Sequence, residues 1–335
     1  MNNSTIKRFG KQNLVPLIVV ILAILLPVVV TNAYLMRVFI MMLCYMIIAM
    51  SINLIVGYCG QLDFGRSAFV GLGAYFSAIV SMRLGVPFII SFIGAGVFAG
   101  LVGAALGMVC RKSTFDYLTL MTMGFNEICR LIFINCDKLT GGALGIKKVP
   151  KPNLGFIVLD TPRKYYYFVL IFVVLTFVII RNIIGSKYGR AFMAIRDDAT
   201  ATLYMGIDVA GYKVFNFAVA SVFSGIAGAL MAHYTGYVSP ASYTLDESIL
   251  MLQMPILGGL GSLPGSIVGT IILQVLPEIS RTFYQYRLMF IGVLMVVLMG
   301  LAPNGLLGKG GIVDKIRFAV MKKQSRDEGS KAVEK

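Results

Sequence analysis

Tryptophan is absent from this 335-residue chain, and histidine occurs once, at His233. A single imidazole excludes a multi-histidine metal centre, and no other metal site is expected. The missing indoles leave tyrosine to mark any membrane interface, as in Tyr165-Tyr166-Tyr167. Charge is scarce as well: Asp, Glu, Lys and Arg make up 13% of the residues, 15 acidic against 30 basic. Soluble domains carry about a quarter charged residues, so the deficit excludes an ordinary soluble fold. The five cysteines (Cys44, Cys59, Cys110, Cys129 and Cys136) are odd in number and show no CxxC spacing. They read as small residues of apolar stretches, not as a disulfide framework. No GxxxxGK[ST] phosphate loop, HExxH or nucleophile elbow occurs. The chain is therefore expected to be no enzyme, to bind no cofactor and to hydrolyse no ATP itself.

What is present is apolar. Hydrophobic residues make up 58% of the chain and the mean hydropathy is +0.83. Runs of about 20 apolar residues, long enough to cross a bilayer, recur along the whole length. An all-α, polytopic integral membrane protein follows. Spans are expected near 14–33, 38–56, 64–82, 86–109, 115–135, 165–181, 214–233, 248–263, 265–283 and 286–303, about ten crossings, or one or two fewer with the Gly-rich runs as re-entrant segments. Residues 1–308 form a single transmembrane domain, and the basic tail 309–335 is polar enough to be disordered. The first run follows Lys7, Arg8 and Lys11. It exceeds the apolar core of about 7–15 residues in a signal peptide, so an uncleaved span is expected.

An even number of crossings puts both termini on one side, and their basic residues place that side in the cytoplasm. Inside segments then hold about 19 Lys and Arg against about 10 outside. The outer loop 136–164 is the exception, with Lys138, Lys147, Lys148, Lys151, Arg163 and Lys164; it would suit an acidic partner surface. Because the basic residues lie in short connectors and the tail, the net charge of +15 speaks for membrane topology and against nucleic acid.

Several polar groups interrupt the apolar runs. "GYCGQLDFGRSAFVGLGAY" (57–75) holds Asp63 and Arg66 among Gly57, Gly60, Gly65, Gly71 and Gly73. A charge at a helix centre costs about 2.5–3.5 kcal/mol on insertion scales. The pair is therefore read either as an interfacial helix start at the cytoplasmic end of the third run, or as part of a gate lining the inner pathway. Glu127 and Arg130 read as a buried ion pair between helices, Glu278 and Arg281 as a solvated pair. Asn53, Asn126 and Asn216 suit interhelical hydrogen bonds. In "GAGVFAGLVGAALG" (94–107), Gly96 and Gly100, then Gly103 and Gly107, form small-residue stripes for close helix packing. In "MPILGGLGSLPGS" (254–266), Pro255, Gly258, Gly259, Gly261, Pro264 and Gly265 do not fit one unbroken helix. Either a broken helix aims its ends at a substrate there, or a tight inside turn joins two spans. "TGGALGI" (140–146) reads as tight turns, with a carboxylate nest as the alternative.

The longest inside connector, 182–213, places Phe192, Ile195, Ala199 and Leu203 on one face of a short helix, with Gly206 as a left-handed stop. Arg190, Arg196, Asp197 and Asp198 then point toward solvent or a partner. "GRAFMAIRDDATATLYMGIDVAGYK" resembles the cytoplasmic loop of the branched-chain amino-acid ABC-transporter permeases of the LivM type. "GYCGQLDFGRSAFVGLGAY", "DYLTLMTMGFNEICRLI…LTGGALGI" (116–146), "LGGLGSLPGSIVG" (257–269) and "APNGLLG" (302–308) are similar to the same family, in order along nearly the whole chain.

The resemblance implies the ABC-importer permease fold and a place in a bacterial or archaeal plasma membrane. It also implies a second permease of the LivH type, two ATPase subunits that use ATP, and an extracytoplasmic solute-binding protein. The connector would couple to the ATPases through Arg190, Ala194, Arg196, Asp197, Asp198, Ala201 and Gly206. Importer permeases carry E-A-A-x-x-x-G there; this chain keeps Ala201 and Gly206 but has Thr200 at the acidic position, with Asp197 and Asp198 one turn earlier. Gly60, Asp63, Gly65, Arg66, Gly258, Gly259, Gly261 and Pro264 are the candidates for pathway or gate. Leucine, isoleucine and valine are the implied substrates, with urea, short amides or nucleosides as alternatives within the architecture. A secondary transporter or channel is the second class. Its usual proton relay is missing here, since the in-span charges come as self-neutralising pairs.

Overall fold

The computed structural model describes residues 32–111, 115–153, 159–279 and 305–308, with scattered positions in 24–27 and 289–300. Helix α1 (Ala33–Asn53) runs on without a break as a π-helical turn, Leu54–Tyr58. It is followed by α2 (Arg66–Arg83), α3 (Phe88–Cys110), α4 (Phe115–Asn135) and the single turn α5 (Asp137–Thr140). Then come α6 (Pro162–Gly185), α7 (Lys187–Asp197), α8 (Ala199–Tyr204), α9 (Val209–Thr235), α10 (Leu245–Gly258) and α11 (Leu263–Ile279). Two-residue strands β1 (Ile146–Lys147) and β2 (Tyr237–Val238) pair antiparallel, Ile146 opposite Val238. Among the described residues, five helices are long and apolar enough to cross a membrane: Ala33–Tyr58, Phe88–Cys110, Tyr117–Asn135, Pro162–Gly185 and Val209–Thr235. The expected spans 14–33 and 286–303, Arg281 and the tail 309–335 lie largely or wholly outside the described residues.

Short polar side chains start these helices. Asn32, Ser186, Asp198, Asp208 and Thr244 each accept a backbone N–H of the first turn of α1, α7, α8, α9 and α10, satisfying donors that the helix cannot. Gly236, at φ 68°, closes α9 in the left-handed form.

The core is built on α9, which packs most extensively on α3 and α2. The expected glycine stripe serves this contact: Gly96 and Gly100 lie against Val222, Gly103 against Ser221 and Gly107 against Val214. The opposite face of α3, with Ile90, Ile93, Val97 and Leu101, is exposed, as a lipid-facing stripe requires. Helix α2 crosses α9 where Gly73 meets the backbone of Gly225 and Gly228 meets that of Val70. No Cβ fits at this crossing.

One end of the bundle, the ribbon end, carries β1, β2 and the single histidine. His233 lies 2.8 Å from Ser77 Oγ and from the Pro150 carbonyl oxygen, edge-on to Phe88. The other end carries α7, α8 and the Gly259–Ser262 turn. The segment 140–146 is a run of turns, as expected, with Gly141, Gly142 and Gly145 at positive φ. Four cysteines are buried and Cys136 is exposed, all unpaired.

Candidate functional site

Two helices begin half-way along the bundle, which the hydropathy pattern does not disclose. Phe64 N donates to Thr122 Oγ1 about a third of the way along α4, and an Arg66 Nη donates to Ser224 Oγ near the middle of α9, 3.3 Å away. Thus Cys59–Gly65 is irregular backbone climbing from the connector end, and α2 starts at mid-depth. From the ribbon end, residues 239–244 descend to the same level, where α10 begins. The Ser67 N–H donates to Ser248 Oγ at 2.9 Å. The Ser67 hydroxyl lies 2.7 Å from the Thr244 carbonyl oxygen and 2.8 Å from both the Asn126 amide and the Ser248 hydroxyl. Irregular backbone at membrane depth is tolerated where protein or a wet cavity covers it, and half-helices of this kind surround the substrate sites of transporters.

Asp63 and Arg66 form an ion pair with about 1% and 0% of their side chains exposed. Asp63 Oδ1 also accepts the Gly65 N–H at 2.8 Å, and the guanidinium lies over the Phe69 ring. The pair lies buried inside the bundle at the start of α2. The irregular approach of residues 59–65 carries it to mid-depth. Glu127 and Arg130 pair at 2.9 Å and, in this chain by itself, are 41% and 33% exposed. Among the described residues they lie on an outer face of α4 and join no two helices. Asn53 and Asn216 do bond between helices, and Asn126 meets the Ser67 hydroxyl of α2.

At the connector end the structure differs from the expectation in three ways. Helix α6 extends to Gly185 and α9 starts at Val209, so the connector is Ser186–Asp208, shorter than 182–213. It is two helices, not one. Asp198, at φ −159°, breaks the path because its carboxylate caps Thr200 N and Ala201 N at 2.8 and 3.0 Å. Phe192 and Ile195 are buried as expected, but Ala199 is half-buried and Leu203 is 59% exposed. Gly206 takes the expected left-handed form, φ 81°. Ahead of it, Leu203, Tyr204 and Met205 make an exposed apolar tip. Their order in "LYMG" was the available sign. Arg190 is exposed, its Nη1 3.4 Å from the Gly185 carbonyl oxygen; Ala194 is half-buried, and Ala201 and Asp197 are exposed.

Arg196 is the third difference. Its Nε and Nη2 donate to Asp197 Oδ1 at 3.2 and 3.1 Å, but Nη1 turns inward to the Gly57 carbonyl oxygen at 2.9 Å. Gly60, at φ 72°, leaves room for the arginine stem: a Cβ there would sit 2.8 Å from Arg196 Cγ. Beside them Asn53 Oδ1 accepts Gly261 N at 2.9 Å, while its Nδ2 donates to the Ser262 carbonyl oxygen at 2.9 Å and to Ser266 Oγ at 2.7 Å. Of the glycine-and-proline run, Pro255 is inside α10 and Pro264 is in the first turn of α11. The break is the tight turn Gly259–Ser262, with Gly259 and Gly261 at φ 115° and 76°. Gly258 packs on the backbone of Gly265. Leu306 and Leu307 N–H donate to the carbonyl oxygens of Leu257 and Gly258, tying 305–308 to the end of α10. Among the described residues no group of acidic, Cys and His side chains could hold a metal.

Apolar spanning helices, half-helices meeting at mid-depth and a folded connector at one end define a multi-pass membrane permease. Comparison with known proteins makes the class specific. The family described as "Branched-chain amino acid transport system / permease component" matches residues 34–299, and the chain belongs to that family. It is 33% identical over 320 residues to the high-affinity branched-chain amino acid transport system permease protein LivM of Escherichia coli K12, covering 89% of this chain and 75% of the relative. The Salmonella typhimurium LivM is 32% identical with the same coverage. The Salmonella typhimurium LivH is 23% identical over 79% of this chain and 91% of its own length. No solved structure matches the chain.

Proposed function

We propose that the chain is a transmembrane permease subunit of an ABC importer for the branched-chain amino acids leucine, isoleucine and valine. ATP is hydrolysed by two partner ATPase subunits, a second permease of the LivH type completes the membrane pathway, and an extracytoplasmic binding protein delivers substrate. The chain sits in the plasma membrane of a bacterial or archaeal cell. It has about ten crossings, and its two termini and the Ser186–Asp208 connector face the cytoplasm.

The observation that carries this reading is the family match over 34–299, joined by relatives named for branched-chain amino acid transport along most of both chains. The exposed tip Leu203–Tyr204–Met205 supports the ATPase contact, since exposed apolar clusters of this kind mark protein interfaces. Glu127 and Arg130, half-exposed on an apolar helix, suit a face covered by another permease better than one facing lipid. The test is purification of the tagged chain from its own host in a mild detergent, with its companions identified by mass spectrometry. Co-elution of a second permease and an ATPase is expected. Elution of the chain alone, still able to transport leucine in vesicles, would place it with the secondary transporters.

A further inference from the structure

The inward turn of Arg196 leads beyond docking, granted the reading of the chain as an ATP-driven permease subunit. We propose that Arg196 is a positioning residue that carries connector movement into the half-helix α10, and so to mid-depth of the membrane.

A residue that serves only the ATPase surface would present its guanidinium outward. Arg196 instead spans two directions, with Nε and Nη2 on the exposed Asp197 carboxylate and Nη1 on the Gly57 carbonyl oxygen. Gly57 lies in the π-helical turn that ends α1, where backbone carbonyls lack helical partners and a cation is favoured. π-Turns of this type are frequent at functional sites.

The next contact leaves no slack. The Gly57 Cα is so close to Gly261 N and to the Asn53 side chain that a Cβ at 57 would overlap both. Asn53, one turn back on α1, holds Gly261 N and the Ser262 carbonyl of the same turn, and Ser266 Oγ in the first turn of α11. The order of contact is connector, Arg196, Gly57, turn 259–262, α10. Every link is a hydrogen bond near 2.9 Å or backbone in direct contact.

Helix α10 is a short rod of 14 residues, about 21 Å at 1.5 Å per residue. Its far end is the mid-depth junction, where Thr244 and Ser248 close on Ser67 and Asn126. A displacement at Arg196 therefore moves groups at mid-depth, with no change needed in the long packed helices α3 and α9. Lysine in place of Arg196 keeps the charge but has no fork to hold both Gly57 and Asp197.

The test uses the assembled transporter in proteoliposomes, with leucine uptake and ATP hydrolysis measured on the same preparation. For Arg196→Ala, uptake is expected to fall about tenfold or more beyond any fall in ATP hydrolysis, the factor for losing a charge-assisted hydrogen bond. Arg196→Lys is expected to recover part of the ratio. Asn53→Ala, which leaves Arg196 in place and releases the turn, is expected to show the same split, and it decides the matter if Arg196→Ala does not assemble. Unchanged uptake per ATP in both Arg196→Ala and Asn53→Ala would overturn the proposal. So would loss of the ATPases from a folded Arg196→Ala permease, which would make Arg196 a docking residue. Failure of the parent complex to couple leucine uptake to ATP would instead count against the importer reading.

Discussion

Asp63 and Arg66 show how far single residues constrain a membrane fold. Two charges with almost no exposure are each costly to desolvate, and their mutual attraction repays this only while both remain. Among the described residues Arg66 Nε has no hydrogen-bond partner, which adds to the burden on the pair. Arg66→Met alone is expected to destabilise the chain by about 3–5 kcal/mol, because it strands a buried carboxylate. Asp63→Asn with Arg66→Met together is expected to cost less than Arg66→Met alone. Unfolding of the detergent-solubilised chain measures both, and strictly additive losses would contradict the account. By contrast, Glu127→Gln with Arg130→Gln is expected to shift the isolated chain by less than about 1 kcal/mol, since both groups are more than a third or close to a third exposed. The pairing of each charge with its neighbour three residues on was legible in the sequence. Their depth was not, because it depends on how irregular backbone travels through Cys59–Gly65 and on which face of α4 other helices cover.

At the scale of elements, small residues decide where helices meet. Gly73 and Gly228 let α2 and α9 approach backbone to backbone, whereas Gly124 on α4 has open space around its Cα. Gly73→Ala is expected to cost about 1–3 kcal/mol by overpacking. Gly124→Ala is expected to be neutral or to stabilise by up to about 1 kcal/mol through helix propensity. Thermal unfolding of the two variants side by side checks the contrast, and equal effects would contradict it. The stripe at Gly96, Gly100, Gly103 and Gly107 was readable from spacing alone, as was the stop at Gly206. The half-helices were hidden. Hydropathy does not distinguish 239–244 or 59–65 from span termini, so spans were expected near 64–82 and 248–263, with re-entrant Gly-rich segments as the alternative, where α2 and α10 start part-way along the bundle. Asp198 was expected as a coupling residue standing in for the missing acidic position, and in the structure it caps α8 and breaks the connector in two. Local capping outweighed the helical periodicity of the surrounding side chains.

The whole molecule joins these parts into a path from one end to the middle. An exposed apolar tip at Leu203–Met205 stands on a connector whose Arg196 reaches into the bundle, and the turn beside it ends a half-helix that begins at mid-depth. Composition and apolar runs were enough to read a multi-pass membrane protein. The inward contact of Arg196 was not readable, since its partner is a carbonyl 139 positions away in sequence. The most direct measurement is uptake of labelled leucine at low concentration, in a host with the gene deleted and in the same host with it restored. Unlabelled valine and urea serve as competitors. Loss of saturable uptake on deletion, its return on restoration, and competition by valine but not by urea are the predicted results. Unchanged leucine uptake in the deleted host, or competition by urea instead of valine, would contradict the assignment.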